Sequence, residues 1–503
     1  MNRLLAFLIL LTVQASGETP FRLSLASEPA SLSTLEQKSS SGAYLIDQIH
    51  APLLRWQDGK IAPGLGQCHA KNPQVLQCEI NSKARWSNGE PILARQLRDT
   101  YLAFLDTTHP GIRADLLLGI QGASDLLNGK AAPSSFGFRL QQKKPRAFSL
   151  QLVQPLDEFE FNLSNPLLAP LWNPQDRHPD PLQLITSGPY VVNQWQSGKK
   201  IGLVANKYYV SQNPGDRPPL EMSVITEDTV AMALYQKAEL DFLRHLPTLY
   251  IPQWKDSPQF HKVPQFRFDF FAFGPALDAL PDLRRALSES LAYSELQQMF
   301  WAEPRPGCPG FAEKLYAPPI CSHTDTADAK KLLANIPAEK RPNLRFVYSK
   351  AGGDDHERTA QWLQDQWHKV LGLEVSLQAL ENKTFLHEIA TNTPPVFRRG
   401  ISPDRPTCLA VLENFSLSGG ENAFHVPEPE LEKKITALKK TQSAQQRQKL
   451  CHDALALLIS HDHIVATGPM YFSILVQAEW TGWRLNNLNQ LDLSDLRRTA
   501  ISH

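Results

Sequence analysis

Apolar and polar positions alternate along Phe21-Arg22-Leu23-Ser24-Leu25, the pattern of a strand with one buried face. A turn over 28–33 follows, then a helix around Ala43 to Ile49. Helical spacing appears again in 91–106, where Ile92, Leu93, Leu97, Tyr101, Leu102 and Leu105 recur on one side. Residues 136–155 read as two strands joined by a Lys-Lys-Pro turn, and 187–210 as a hairpin turning at Ser197-Gly198. A strand over 218–228 leads into a helix over 228–240 and a short buried segment. Further on come a strand at 266–273, a helix over 280–300, a strand at 343–350 and a strong helix over 355–372 closed by Gly372. A strand at 373–381, helices over 429–440 and 444–460, and a strand-like 471–480 complete the pass. Strands and helices alternate throughout, so the class is α/β or mixed α+β.

Composition narrows the function classes. Lysine plus arginine is 51 and aspartate plus glutamate is 51, so the formal charge is zero. That balance excludes the basic excess expected of a nucleic-acid binder. The 503 residues suffice for about two to four lobes. Met1-Asn2-Arg3, the mostly apolar run Leu4 to Val13, and small residues at 15–17 read as a cleaved secretory signal over 1–17. The run is too short to cross a bilayer, which takes about 20 apolar residues. No Cys follows it, so no lipid anchor is expected. The six cysteines suit an oxidising compartment. Cys68 and Cys78 flank a short hairpin-like excursion, and Cys308 and Cys321 flank a Pro-rich loop. Cys408 with Cys451 is the remaining pair.

Motifs for catalysis are missing. The chain has no GxGxxG after a strand, no GxxxxGK[ST], no GxSxG and no HExxH. No CxxC occurs, and the cysteine spacings fit no zinc pattern. His461 and His463 flank Asp462; on a helix such a pair points to different faces, which leaves a solvated helix end and no metal. Tryptophans 56, 86, 172, 195, 362, 367 and 480 fall in or beside predicted elements and read as core.

Several segments, in order, resemble the oligopeptide/dipeptide/nickel-type periplasmic solute-binding proteins of ABC importers (extracellular solute-binding protein family 5). "EPASL" at 28–32 is similar to the family's E-P-x-x-L-D-P, and "KARWSNGEPILARQL" to its W-S-D/N-G-x-P-x-T-A-x-D. "TSGPYVVNQWQSGKKIGLVANKYY" carries the most specific likeness, G-T/S-G-P-Y…W…G…I-x-L-x-x-N-x-x-Y. "AELDFL", with Glu239 and Asp241, "LPDLRRALSESLAYSEL", "TAQWLQDQWHKVLGLEVSLQALE", "GISPDRPTCLAVL" and "TGWRLNNLNQLDLSDL" match further segments.

The resemblance implies a clamshell of two lobes that encloses a solute, with an extra domain on the first lobe. Lobe I would comprise 18–49, 186–264 and 477–503, the extra domain 50–185, and lobe II 265–476. It implies that Asp404 holds a peptide's α-ammonium and that Arg398 or Arg358 meets its carboxylate. Ile401 replaces the family's Trp, Arg405 its Tyr, and Gly274 the Asn that closes a strand, all at positions expected around the pocket. The implied function is capture of a peptide or similar small solute and delivery to the permease subunits of an ABC transporter in the inner membrane. The protein is then a periplasmic monomer with no catalysis and no cofactor. Nickel or haem as ligand finds no dedicated His/Cys cluster. The alternatives are an exported peptide or glycan hydrolase, and a clamshell receptor or chaperone unconnected with transport.

Overall fold

The computed structural model of the chain describes residues 19–499 except 30, 38, 58, 154–155, 211–216, 302–321, 404, 417–425, 427 and 442. The signal reading over 1–17, the Cys308–Cys321 pairing and Asp404 lie outside the described residues.

One ten-stranded mixed sheet organises the chain. Its strands are β1 (Phe21–Leu25), β2 (Tyr190–Gln196), β3 (Lys200–Ala205), β4 (Leu220–Val224), β5 (Phe242–Leu243), β6 (Phe260–Phe273), β7 (Leu344–Ser349), β8 (Val375–Leu380), β9 (Val396–Ile401) and β10 (Ile464–Val476). Their order is β8-β7-β9-β6-β10-β5-β1-β4-β3-β2. The long antiparallel strands β6 and β10 are shared by two half-sheets. Phe260–Pro264 pair with Leu475–Tyr471, and Phe268–Ala272 pair with Pro469–Ile464; the register breaks between Pro264 and Phe268. This break, next to a proline without an N–H, is where the strands can bend.

Strand faces follow the two-residue period. Along β6, Phe266, Phe268, Phe270 and Ala272 enter one core, while Phe271 and Phe273 enter the core on the opposite face. The strand is a near-continuous apolar run because both faces are covered. In the other half, Phe21, Leu23 and Phe242 pack against helix α1 (Ser40–Ile49), and Leu243 and Leu475 pack on the other face against Met232 and Tyr235. A separate core joins a four-stranded antiparallel sheet with the helix Ala94–Phe104 and includes Trp86, Tyr101 and Phe148. Trp86, Trp367 and Trp480 are buried, in line with the core reading.

Among the described residues two cysteine pairs bridge. Cys68–Cys78 joins directly opposed residues of neighbouring strands, and Cys408–Cys451 ties a short helix to helix α5 (Ala444–Ser460). The single helix expected over 280–300 is two: α2 (Pro281–Glu289) and a second helix, Tyr293–Trp301. Ser290 Oγ donates to the Leu287 carbonyl at 3.0 Å, satisfying the end of α2 locally. Strand β6 begins six residues earlier than its apolar run suggests, and β10 seven residues earlier. The long helix α3 (Gly353–Leu371) ends at Gly372, whose φ of +66° suits glycine.

Candidate functional site

Strand direction locates the site. In one half-sheet β1, β4 and β5 are parallel, and in the other β7, β8 and β9 are parallel. Strand β10 is antiparallel to β5, and β6 is antiparallel to both β9 and β10. The carboxyl ends of the two parallel sets therefore face each other across the break in β6. Ligands of open α/β sheets bind outside such ends.

Charged side chains gather there. On β6, Arg267 and Asp269 share a face, and Arg398 and Gly400 of β9 lie opposite on the same face. Asp269 accepts from Arg267 Nε at 2.6 Å and from Arg398 Nη2 at 2.7 Å. Asp269 and Arg398 are almost fully buried, whereas the Arg267 side chain is 33% exposed. Burial pushes the Arg398 guanidinium below its ordinary value, opposed chiefly by Asp269 and more weakly by Asp355. Gly400 leaves room for them: a Cβ there would overlap Arg267 Nη2 and Asp269 Oδ1 unless those side chains shifted.

A second contact joins the two half-sheets. Thr248, after β5, donates its hydroxyl to Asp355 Oδ1 in the first turn of α3. Arg358 Nη2 donates to the same Asp355 oxygen at 2.7 Å and to Thr248 Oγ1 at 3.1 Å. Near the carboxyl end of β1 lies a cleft of about 420 Å³ lined by Glu28, Leu32, His178, Trp195 and Ser197 among others. Glu28 fixes its wall by accepting from Trp195 Nε1 at 2.9 Å, Ser197 Oγ at 3.0 Å and the Gly198 N–H at 2.8 Å.

The expected site residues are thus distributed unequally. Arg398 and Arg358 come to the same end of the sheet, each already holding an aspartate. Ile401 pairs with Phe268 and is buried in the core, so its side chain serves packing. Gly274 is not brought to this end. It follows the opposite end of β6, where a Cβ would collide with the Pro394 carbonyl. Asp404 lies just beyond β9 in sequence, outside the described residues. Sequence reasoning passed over Asp269, Arg267, Asp355 and Thr248. The signal was present in "FRFDFFAF": two opposite charges at i and i+2 on an otherwise apolar strand must share one face.

The reading of His461 and His463 as a diverging helical pair is corrected. Helix α5 ends at Ser460, and Asp462 takes a left-handed φ of +48°. That turn brings both imidazoles to one carboxylate, Glu428.

The family model described as bacterial extracellular solute-binding proteins, family 5 Middle, matches residues 63–423. The periplasmic murein peptide-binding protein MppA of Escherichia coli (strain K12) is 23% identical over 500 residues, covering 92% of this chain and 89% of the relative. The "Probable deoxycholate-binding periplasmic protein YgiS" of the same strain is 22% identical, covering 91% and 88%. Among solved structures, a periplasmic oligopeptide-binding protein (OppAIV) from Borrelia burgdorferi superposes with a TM-score of 0.78 at 21% identity, covering 95% of this chain and 99% of that one. These matches and the paired half-sheets agree on a two-lobed clamshell, and the chain belongs to the family 5 bacterial extracellular solute-binding proteins.

Proposed function

We propose that the protein is periplasmic and captures a peptide or similar small solute between its lobes for delivery to an ABC-type permease. The observation that carries this reading is the charge cluster Arg267–Asp269–Arg398 at the facing strand ends, together with the lobe-to-lobe contact of Thr248 with Asp355 and Arg358. A zwitterionic ligand needs fixed charges of both signs once water is excluded. Arg267, partly exposed, is the guanidinium available to a ligand carboxylate, and Arg398 positions it through the shared Asp269. Arg358 contributes a second positive charge from α3. Asp404, four residues on from Gly400, is assigned to the α-ammonium. The lobes are read as 18–49, 186–264 and 477–503 against 265–476, with 50–185 as the extra domain. Closure requires no bond to be made or broken; the bound state is favoured because the solute touches both lobes.

Native mass spectrometry of protein purified gently from the export compartment tests the ligand class. Release of short peptides on denaturation is the expected result. A single non-peptide mass would overturn the peptide reading while leaving the solute-binding fold. Asp404→Asn is expected to weaken peptide binding by at least ~1.5 kcal/mol, the scale of a charged hydrogen-bond partner. Unchanged affinity by calorimetry would remove Asp404 from the site.

A further inference from the structure

We propose that Glu428, His461 and His463 form a binding site for a divalent transition-metal ion of the zinc class. One ligand atom from each lies within 4.8 Å of the others. His461 Nδ1 is 2.8 Å and His463 Nε2 3.6 Å from the same Glu428 oxygen. Tetrahedral zinc with bonds of about 2.0–2.1 Å holds neighbouring ligand atoms roughly 3.3 Å apart. The observed spacings bracket that value, so small side-chain rotations suffice.

The backbone presents these groups in advance. Glu428 is the N-cap of α4 (Pro429–Lys440) and accepts the Glu430 N–H at 3.4 Å. The histidines follow α5 on a turn gripped by Arg284, which donates from Nη2 to the His461 carbonyl at 3.2 Å and from Nε to the Asp462 carbonyl at 3.1 Å. Arg284 lies on α2, and the same guanidinium donates to the Leu277 carbonyl at 3.0 Å just before that helix, so the turn is tied to α2. Its positive charge is offset by Asp278 and Asp462. Two imidazoles and one carboxylate are a ligand set suited to zinc, with a fourth position left for water. Glu428 and His463 are mostly buried, while the His461 side chain is 51% exposed and opens the site to solvent. The site adjoins the start of β10, at the opposite end of lobe II from the charge cluster. The ion therefore acts apart from solute capture: it ties the start of α4 to the α5–β10 turn.

The test uses the full mature chain, stripped with chelator and titrated with zinc chloride alone by calorimetry. The expected result is one equivalent bound, with affinity reduced at least roughly tenfold in both His461→Ala and Glu428→Gln. Zinc is expected to raise the melting temperature of the unmodified protein and not that of His461→Ala. His461 is half exposed, so this variant should fold even if His463→Ala does not. Equal zinc affinity in the unmodified and His461→Ala proteins would overturn the proposal. So would no binding below roughly 100 μM.

Discussion

Arg398 and Asp269 meet at 2.7 Å across neighbouring strands, with side-chain exposures of 3% and 1%. Removing one member of such a pair strands a buried charge, which typically costs about 3–5 kcal/mol. Asp269→Asn is therefore expected to be strongly destabilised in urea unfolding. The double variant Asp269→Asn with Arg398→Met should recover much of that loss. A double variant at least as unstable as Asp269→Asn alone would show that the ion pair is not the source of the effect.

Gly400→Ala probes the same cluster without removing a charge. Its new methyl would displace Arg267 and press on Asp269, which is held from two sides. Overpacking of this kind costs about 1–3 kcal/mol, and solute affinity should fall with it. Calorimetry and a melting curve on one preparation report both effects.

Thr248→Val keeps the side-chain shape and deletes the hydroxyl that joins the two half-sheets through Asp355 and Arg358. The hydrogen bond spans the two half-sheets, so a motion that parts them breaks it, and its loss is expected to favour the parted form. Solute affinity is expected to fall by about fivefold, equivalent to about 1 kcal/mol, with little change in unfolding free energy. A larger radius of gyration in solution scattering without ligand would accompany it.

The charge cluster was partly legible in the sequence, and the reasons for the rest are physical. Arg398 and Arg358 stood out because they matched a pattern; the local sequence places Asp269 beside Arg267, but only the register sets it against Gly400 and within reach of Arg398. Register is a long-range property, fixed here by β6 and β9, which are more than 120 residues apart. The β1 strand and the α3 helix form where expected because each signal is local, although Ser24 on the polar face of β1 is buried too. The helix over 280–300 broke at Ser290, where a side chain competes with the backbone, a local effect that spacing of apolar residues does not reveal. The histidine pair was misread for a related reason: one left-handed residue, Asp462, changes where its neighbours point.

His50 predicts a pH dependence. It is 1% exposed at the end of α1, and burial lowers its pKa from 6.5 to about 4. Below pH 6.5 the unfolded chain takes up a proton that the folded imidazole refuses. Stability therefore declines as pH falls from about 6.5 to about 4, by about 3 kcal/mol for this group, and levels off beneath. Asp462, pushed up to about 6 by burial, acts in the opposite sense over that range. The test is accordingly the difference between the unmodified protein and His50→Asn, whose stability should be flatter between pH 4 and 6.5.

The two disulfides among the described residues should contribute unequally. Cys408–Cys451 closes a separation of 43 residues, Cys68–Cys78 one of 10 within a paired hairpin. Replacing the first pair by serine is expected to cost about 3–4 kcal/mol and the second less. Equal losses in denaturant titrations would contradict the loop argument.

Helix α1 is held by residues far along the sequence. Tyr44 Oη donates to Asn489 at 2.6 Å across 445 residues of sequence, Gln48 Nε2 donates to the Leu491 carbonyl at 2.6 Å, and the Leu491 N–H donates to Asp47 at 2.9 Å. Helix α1 thus receives partners from residues made more than 440 positions later. Emergence in order from N- to C-terminus cannot complete this packing step by step. Strand β1 and helix α1 must wait, with part of their apolar faces uncovered, until residues 489–491 have been made, and their assembly depends on contacts of very high sequence separation.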